Sequence, residues 1–118
     1  MKQDKDCIFC KIVKGEIKAE IVGESEGFIA FLDAHPKADG HTLIVSKGHY
    51  ITLLDIPNEL GDELLEFIKE VASGLLEEGK GEGFNLVMNN FESAGQVVKH
   101  AHLHIIPRKE GDGIKEIV

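Results

Sequence analysis

The sequence predicts an α+β domain with a small five-stranded, mostly antiparallel sheet, one long helix and a short helix near the N-terminus. Three observations predict this fold class. The chain has 118 residues, of which 42% are hydrophobic, so a single domain over residues 1–118 can bury one core. One long stretch has apolar residues at helical spacing, and five shorter apolar runs are separated by turn residues. Most connections are too short for parallel crossovers, which favours antiparallel pairing.

The first half of the chain contributes the short helix and three strands. Turn residues separate them: Glu26 and Gly27 lie between the first two strands, and a loop with Pro36 and Gly40 precedes the third. The predicted elements are a helix over 8–14 and strands over 21–25, 27–33 and 41–48.

The long helix is predicted from Pro57 to Glu78, because apolar residues recur there every three or four positions with acids between them. Asp55 and Pro57 supply a start signal, and Gly79 supplies a stop. The recurring positions are Leu60, Leu64, Leu65, Ile68, Ala72, Leu75 and Leu76.

Two further strands and a loop complete the prediction. FNLVMNN, over 84–90, predicts a strand, and ESAGQ, over 92–96, predicts a loop. The last strand is VVKHAHLHIIPR, over 97–108, and we expect Pro107 to end its pairing.

Composition excludes several classes of function. The net charge of −8 argues against nucleic-acid binding, which needs basic patches, but a pocket can still bind a small phosphate through backbone N–H groups. No run approaches the ~20 apolar residues of a membrane helix. The first residues, MKQDKDC, have no apolar signal region, so we expect a cytoplasmic protein.

HAHLHII, over 100–106, places three histidines at alternate positions. In a strand, His100, His102 and His104 would share one face. The alternative is a half-exposed strand whose polar positions happen to be histidine, but Lys, Glu and Thr are commoner on a solvent-exposed strand face. His100 and His104 would be roughly 13 Å apart at ~3.3 Å per residue, whereas zinc holds nitrogens at ~2.1 Å. The three histidines therefore predict divided roles rather than one shared metal ion.

Neutral imidazole is a good nucleophile near pH 7 and carries no negative charge to repel a phosphate. One histidine could attack phosphorus, and its neighbour two residues away could bind phosphate oxygens. We expect the second ring nitrogen of the nucleophile to be oriented, for example by a backbone carbonyl.

Phosphate chemistry also needs anion binders, and no Walker A sequence occurs. The loop ESAGQVV is the alternative: Gly95 allows close backbone approach, and Gln96 and Asn89 add amides. Asp33 could accept hydrogen bonds from ribose hydroxyls or could simply begin a turn, and the residues alone do not separate these readings.

Cys7 and Cys10 are too few for a disulfide framework and indicate half a metal site, a redox pair or two ordinary residues. A tetrahedral zinc ion would need two more ligands. His41 and His49 flank the same strand, up to ~26 Å apart if it is fully extended. One could complete the zinc site while the other lies near the phosphate, and spacing alone does not say which.

The triplet fits the pattern His-φ-His-φ-His-φ-φ, where φ is hydrophobic, and the chain resembles the histidine triad family of nucleotide hydrolases and transferases. The resemblance covers nearly the whole chain, because further segments resemble family segments in the same order: CIFCKI, FLD, HTLIVSKGH, LVMNN and GQVVKH.

The resemblance implies a covalent mechanism. The middle histidine of the family is the nucleophile, which places that role on His102 and implies a nucleotidyl-histidine later released by water. His104 would contact the α-phosphate with His41 beside it, and Asp33 would hold the ribose hydroxyls with Ala34 beside it. The remaining implied contacts are Ile8, Phe9, Ile12 and Phe31 around the base, and Asn89, Gly95, Gln96 and Val97 at the phosphate.

The resemblance also implies structural zinc and a homodimer with a continuous sheet. In many bacterial members a CxxC pair binds zinc with a histidine after the central strand and the first triad histidine. On this chain those ligands are Cys7, Cys10, His49 and His100. A hydrolase in which zinc activates water is disfavoured, because four protein ligands leave no open position.

Two departures from the family pattern bear on the substrate. The phosphoramidase branch has a hydroxyl residue, typically Ser, that helps the leaving group, where this chain has Val97. The chain reads IIPR after the triad, closer to dinucleoside polyphosphate hydrolases, but those generally lack this CxxC pair and have Gln at the position of Asn89. The resemblance therefore implies cleavage of a phosphoramidate or phosphoanhydride bond at the α-phosphate of a purine nucleotide, such as AMP in a nucleotide conjugate. A low-activity nucleotide-binding or scaffold protein is the alternative.

Overall fold

A computed structural model describes residues 2–117. Five antiparallel strands form one sheet in the order β1-β2-β3-β5-β4, which confirms the predicted α+β fold with one long and one short helix. Met1 and Val118 lie outside the described residues, and the extent of the domain stays a prediction. The elements are α1 Ile8–Val13, β1 Ile21–Glu24, β2 Phe28–Leu32, β3 Thr42–Ser46, α2 Gly61–Glu77, β4 Gly83–Val87 and β5 His102–Arg108.

Apolar side chains cover both faces of the central strands. Alternation along β2 sends Phe28 and Ala30 toward α2, and Ile29 and Phe31 toward α1. The cluster on the α2 side also contains Ile44, Phe67, Ile68, Val71, Ala72, Leu75, Leu103 and Ile105, and the α1 side adds Phe9, Leu43 and Val45. None of the helices described has the length and apolarity to cross a membrane.

The long helix was predicted from Pro57, but α2 begins at Gly61. A separate 3-10 turn, Asn58–Leu60, follows Pro57 and precedes it. The predicted spacing is nevertheless sound, because Ile68, Ala72 and Leu75 pack against the sheet.

The last strand was predicted from Val97, but β5 begins at His102, so the expectation that His100 shares a strand face with the other two histidines is wrong. The chain turns just before the sheet, where the N–H of His100 donates to the carbonyl of Val98 at 2.9 Å. Ala101 then donates to the carbonyl of Tyr50 at 2.6 Å. Because of this turn, the imidazole of His100 points toward a different group of side chains from the imidazole of His104.

Pairing was expected to end at Pro107, but β5 continues to Arg108, opposite Gly83 of β4. The physical reason is that β3 begins at Thr42, opposite Ile105. Among residues 2–117, β5 pairs beyond that point with β4 alone, so Pro107 lies where β5 has a strand on one side.

Candidate functional site

The histidines fall into two side-chain clusters joined by β5. Four residues, Cys7, Cys10, His49 and His100, place their ligand atoms within 4.8 Å of one another. A second set, Asp33, His41 and His104, does the same. His102 lies on β5 between the two clusters. The remaining histidine, His35, is exposed.

The first cluster has the dimensions of a tetrahedral metal site. The Sγ atom of Cys7 lies 3.2 Å from Nδ1 of His100. The Sγ atom of Cys10 lies 3.4 Å from Nδ1 of His49. The two Nδ1 atoms are 3.2 Å apart. A tetrahedral zinc ion with bonds of roughly 2.0–2.3 Å sets its ligands roughly 3.3–3.8 Å apart, so the donor set fits zinc with little adjustment.

Surrounding hydrogen bonds prepare these atoms as ligands. The Nε2–H of His100 donates to the carbonyl of Ser46 at 2.7 Å, which leaves the Nδ1 lone pair facing the cluster. The backbone N–H groups of Cys10 and Asp4 donate to Sγ of Cys7 and Cys10 respectively, each at 3.4 Å. Burial raises the pKa of the Cys10 thiol, and a bound divalent cation would favour the thiolate there.

Sheet topology brings this cluster together. The end of β3 lies beside the start of β5, because Val45 pairs with His102. His49, three residues after β3, and His100, just before β5, therefore meet at one edge of the sheet. The ring of Phe9, on α1 between the two cysteines, contacts the ring of His100 edge-on at 5.8 Å.

The orientation of His102 leaves one ring nitrogen available. Its Nδ1–H donates to the backbone carbonyl of His100 at 2.7 Å, so a backbone carbonyl orients this ring. In the neutral ring the Nε2 atom then keeps its lone pair. Burial lowers the pKa of His102 below its usual value, so the neutral form dominates at pH 7.

The second cluster includes His104, which lies two residues after His102 on β5. The rings of His102 and His104 are 5.2 Å apart between centroids. The Nδ1 atom of His104 lies 3.0 Å from Nε2 of His41, and Asp33 Oδ2 lies 3.4 Å from the same Nε2 atom. Burial lowers the pKa of His104 to about 4 and also lowers that of His41. These two rings are neutral at pH 7 and form one hydrogen-bonded pair.

Asp33 begins a turn and also faces this pair. Its Oδ1 atom accepts from the N–H of His35 at 2.9 Å, which is the turn role considered from sequence. Its Oδ2 atom points toward His41. The turn role of Asp33 is therefore compatible with the other interpretation, in which its carboxylate accepts hydrogen bonds from ribose hydroxyls. Ala34 follows Asp33 and is exposed.

Gln96 holds the loop before β5. Its Oε1 atom accepts from the N–H of Phe91 at 2.8 Å, and its Nε2 atom donates to the carbonyls of Ile51 and Val98 at 2.6 and 3.0 Å. The backbone N–H of Gln96 donates to the carbonyl of Phe91 at 3.1 Å. The N–H of Gly95 is used too, by the carbonyl of Glu92 at 3.0 Å.

Two polar groups of this loop stay available to a ligand. Among residues 2–117, the N–H of Val97 has no protein acceptor, and Val97 is 89% exposed. Asn89 lies against Gly95, where an added Cβ would meet Asn89 Nδ2 at 3.6 Å. Gly95 itself has φ +96°, a conformation that favours glycine.

The apolar residues assigned to the base divide into buried and exposed ones. Phe9 and Phe31 are buried and contact each other edge-on at 5.8 Å. Phe9 also contacts the ring of His102 at 5.1 Å. Ile8 is 47% exposed, and Ile12 is partly buried beside the same cluster. The exposed face of this group is the part open to a ligand.

Sequence reasoning missed three groups that organise the site. Ser46 accepts through its backbone carbonyl, and Asp4 and Lys37 donate through backbone N–H groups. Backbone groups carry no side-chain signal, so only the folded chain shows that they contact these cysteines and histidines.

Comparisons with known proteins find relatives of this chain. The family model of the HIT domain matches residues 14–111. An uncharacterized HIT-like protein of Methanocaldococcus jannaschii is 50% identical over 109 residues, covering 91% of this chain and 82% of that protein. An adenosine 5'-monophosphoramidase of Candida albicans is 40% identical over 114 residues, covering 93% and 75%.

A solved structure matches as well. The crystal structure of a Zn-bound histidine triad family protein from Mycobacterium smegmatis has a TM-score of 0.86 and 35% identity, covering 92% of this chain and 79% of that one. The family model spans far more than half of the chain, and all three proteins exceed 30% identity. This chain belongs to the histidine triad (HIT) family.

Proposed function

We propose that the protein is a nucleotide hydrolase or nucleotidyl transferase that cleaves a phosphoramidate or phosphoanhydride bond at the α-phosphate of a purine nucleotide. The observation that carries the proposal is the bond from His102 Nδ1–H to the carbonyl of His100 at 2.7 Å. It leaves a bare Nε2 atom on a ring whose centroid lies 5.2 Å from that of the buried ring of His104. The relationship to an adenosine 5'-monophosphoramidase supports a substrate that contains AMP.

Catalysis would proceed in two displacements at phosphorus. In the first, the Nε2 lone pair of His102 forms a bond to the α-phosphorus, and the bond from phosphorus to the leaving group breaks. The leaving group departs with the electron pair and takes a proton from solvent. In the second, water attacks phosphorus, the bond from phosphorus to Nε2 breaks, and water loses a proton, so AMP and neutral His102 are released.

We base the proposed binding roles on the family resemblance. His104 would contact the α-phosphate with His41 behind it, and Asp33 would accept from ribose hydroxyls with Ala34 beside it. The base would lie on Ile8, Phe9, Ile12 and Phe31. Asn89 and the N–H of Val97 would contact phosphate directly, whereas Gly95 and Gln96 would hold the loop in shape.

Cys7, Cys10, His49 and His100 would hold a structural zinc ion, which supplies a closed cross-link between α1 and the sheet. The Zn-bound relative supports this assignment. The ligand set also argues against zinc-activated water, because four protein donors fill a tetrahedral ion.

We also propose that the protein is cytoplasmic and forms a homodimer. Each subunit would be one domain. The edge strand β4 supports a continuous intersubunit sheet. Two large apolar side chains on that strand, Phe84 and Leu86, are 41% and 46% exposed, which favours an apolar interface there.

A low-activity nucleotide-binding protein is the second candidate. The observation that favours it is Val97, whose exposed side chain has no hydroxyl group to assist a leaving group. Measurable AMP affinity without turnover would support this alternative.

The test is to incubate the protein with α-labelled adenosine phosphoramidate, aminoacyl adenylate and dinucleoside polyphosphate. Turnover of at least one, lost in the variant His102→Asn, would support the proposal. If the protein turns over none of them, the enzymatic proposal is wrong. A His35→Gln variant, altered at an exposed histidine outside the site, is the matched control.

A further inference from the structure

We propose that His41 is a positioning residue that fixes the tautomer of His104, so that His104 presents an Nε2–H donor to the substrate. The backbone N–H of Lys37 fixes the tautomer of His41, and His41 in turn fixes that of His104. The consequence for catalysis rests on the proposed function, but the tautomer itself is a property of the free protein. The proton positions in two consecutive hydrogen bonds, from Lys37 to His41 and from His41 to His104, determine this tautomer.

A backbone hydrogen bond fixes the tautomer of His41. The backbone N–H of Lys37 lies 2.9 Å from Nδ1 of His41. An amide N–H can only donate, so this Nδ1 atom must be an acceptor without a proton. The neutral ring then carries its single proton on Nε2. The imidazole is neutral at pH 7, since burial lowers its pKa.

The tautomer of His41 determines that of His104. The Nε2 atom of His41 and the Nδ1 atom of His104 are 3.0 Å apart, a distance that accommodates one proton between them. Because Nε2 of His41 holds that proton, Nδ1 of His104 must accept it. The neutral ring of His104 therefore carries its own proton on Nε2.

Asp33 does not change this assignment. Its Oδ2 atom lies 3.4 Å from Nε2 of His41 and 3.9 Å from Nδ1 of His104. A carboxylate at pH 7 only accepts, so it can share the proton of His41 but cannot supply a second one. The closer contact to His41 further favours a proton on its Nε2 atom.

His102 and His104 consequently have opposite tautomers. The proton of His102 is on Nδ1, which donates to the carbonyl of His100, so the Nε2 atom of His102 carries a lone pair. The proton of His104 is on Nε2, so the neighbouring ring offers a donor. A nucleophile needs a lone pair, whereas anionic phosphate oxygens need donors. The opposite tautomer of His104 would direct a lone pair at those oxygens and repel them.

The same proton order argues against a second metal ion at Asp33, His41 and His104, although their ligand atoms lie close together. A metal ion at this point would need the lone pair on Nε2 of His41. That requires a proton on Nδ1, which would oppose the N–H of Lys37 at 2.9 Å. The first cluster differs, because His100 donates through Nε2 to Ser46 and keeps Nδ1 free.

The direct test is long-range ¹H–¹⁵N correlation NMR of the histidine rings in the free protein at pH 7. The expected result is an Nε2–H tautomer for His41 and His104 and an Nδ1–H tautomer for His102. An Nδ1–H tautomer or a charged ring at His104 would overturn the inference. This measurement needs no substrate, so it separates failure of the inference from failure of the proposed function.

Two substitutions at His41 test the positioning role. Gln places an amide NH₂ near the Nε2 position and keeps a donor toward His104, whereas Asn mimics the Nδ1 position and loses that donor. We expect His41→Gln to lose only a few-fold in turnover and His41→Asn to lose about 10²-fold, the effect of misdirecting one donor. The His104 signal should stay Nε2–H in the Gln variant and become a tautomer mixture in the Asn variant. Equal losses with an unchanged His104 tautomer would overturn the role.

Discussion

Replacing His104 by Gln should reduce the sensitivity of the fold to acid. The pKa of His104 is lowered from 6.5 to about 4 by burial, so the folded state binds this proton later than the unfolded state. The stabilisation from the neutral ring is therefore complete above pH 6.5 and is lost as pH falls toward 4. At pH 5 the difference spans roughly 1.5 pKa units, or roughly 2 kcal/mol.

Urea denaturation at pH 7 and pH 5 measures this effect. The wild type should lose more free energy of unfolding between the two conditions than His104→Gln, by roughly 2 kcal/mol. Any release of bound zinc in acid would affect both proteins and would cancel in the comparison. The exposed His35 provides the control, because His35→Gln should retain the full wild-type loss. If His104→Gln loses as much as the wild type, the neutral buried ring is refuted.

Two further substitutions test the metal cluster and the loop. Cys10→Ser should reduce bound zinc from about one ion per chain to a small fraction, because a structural site needs all four ligands; elemental analysis of purified protein measures this, and unchanged zinc content would contradict the ligand assignment. Gly95→Ala should reduce the free energy of unfolding by about 1–2 kcal/mol, because φ is +96° there. Gly61→Ala, at φ −62° on the first residue of α2, should be neutral or stabilising in the same urea experiment, and equal effects at the two glycines would contradict the strain argument.

The elements that the sequence predicted well are those with a clear hydrophobic period. The apolar positions of α2 and the alternation along β2 depend on local repetition, and the folded chain uses them as expected. Their ends depend on contacts that local repetition does not encode. The separate turn before Gly61 and the bend at His100 are set by backbone bonds to neighbouring segments.

The site shows the same division between local and long-range information. Residue type and spacing indicated divided roles for the three histidines, but the assignment of His49 to the zinc cluster came from family resemblance. The structure shows that the pairing of β3 with β5 brings His49 close to His100. Gln96 illustrates the limit, because nothing in the sequence shows that its amide is bonded to Phe91, Ile51 and Val98.

The covalent role of His102 is the central claim, and rapid acid-free quenching of single-turnover reactions tests it most directly. Wild-type protein mixed with adenosine phosphoramidate labelled in its phosphate should carry label that maps to the peptide containing His102, and the label should disappear as AMP forms. His102→Asn should remain unlabelled, whereas His35→Gln should label like the wild type. Turnover without any labelled protein, or label that persists in His102→Asn, would contradict the mechanism.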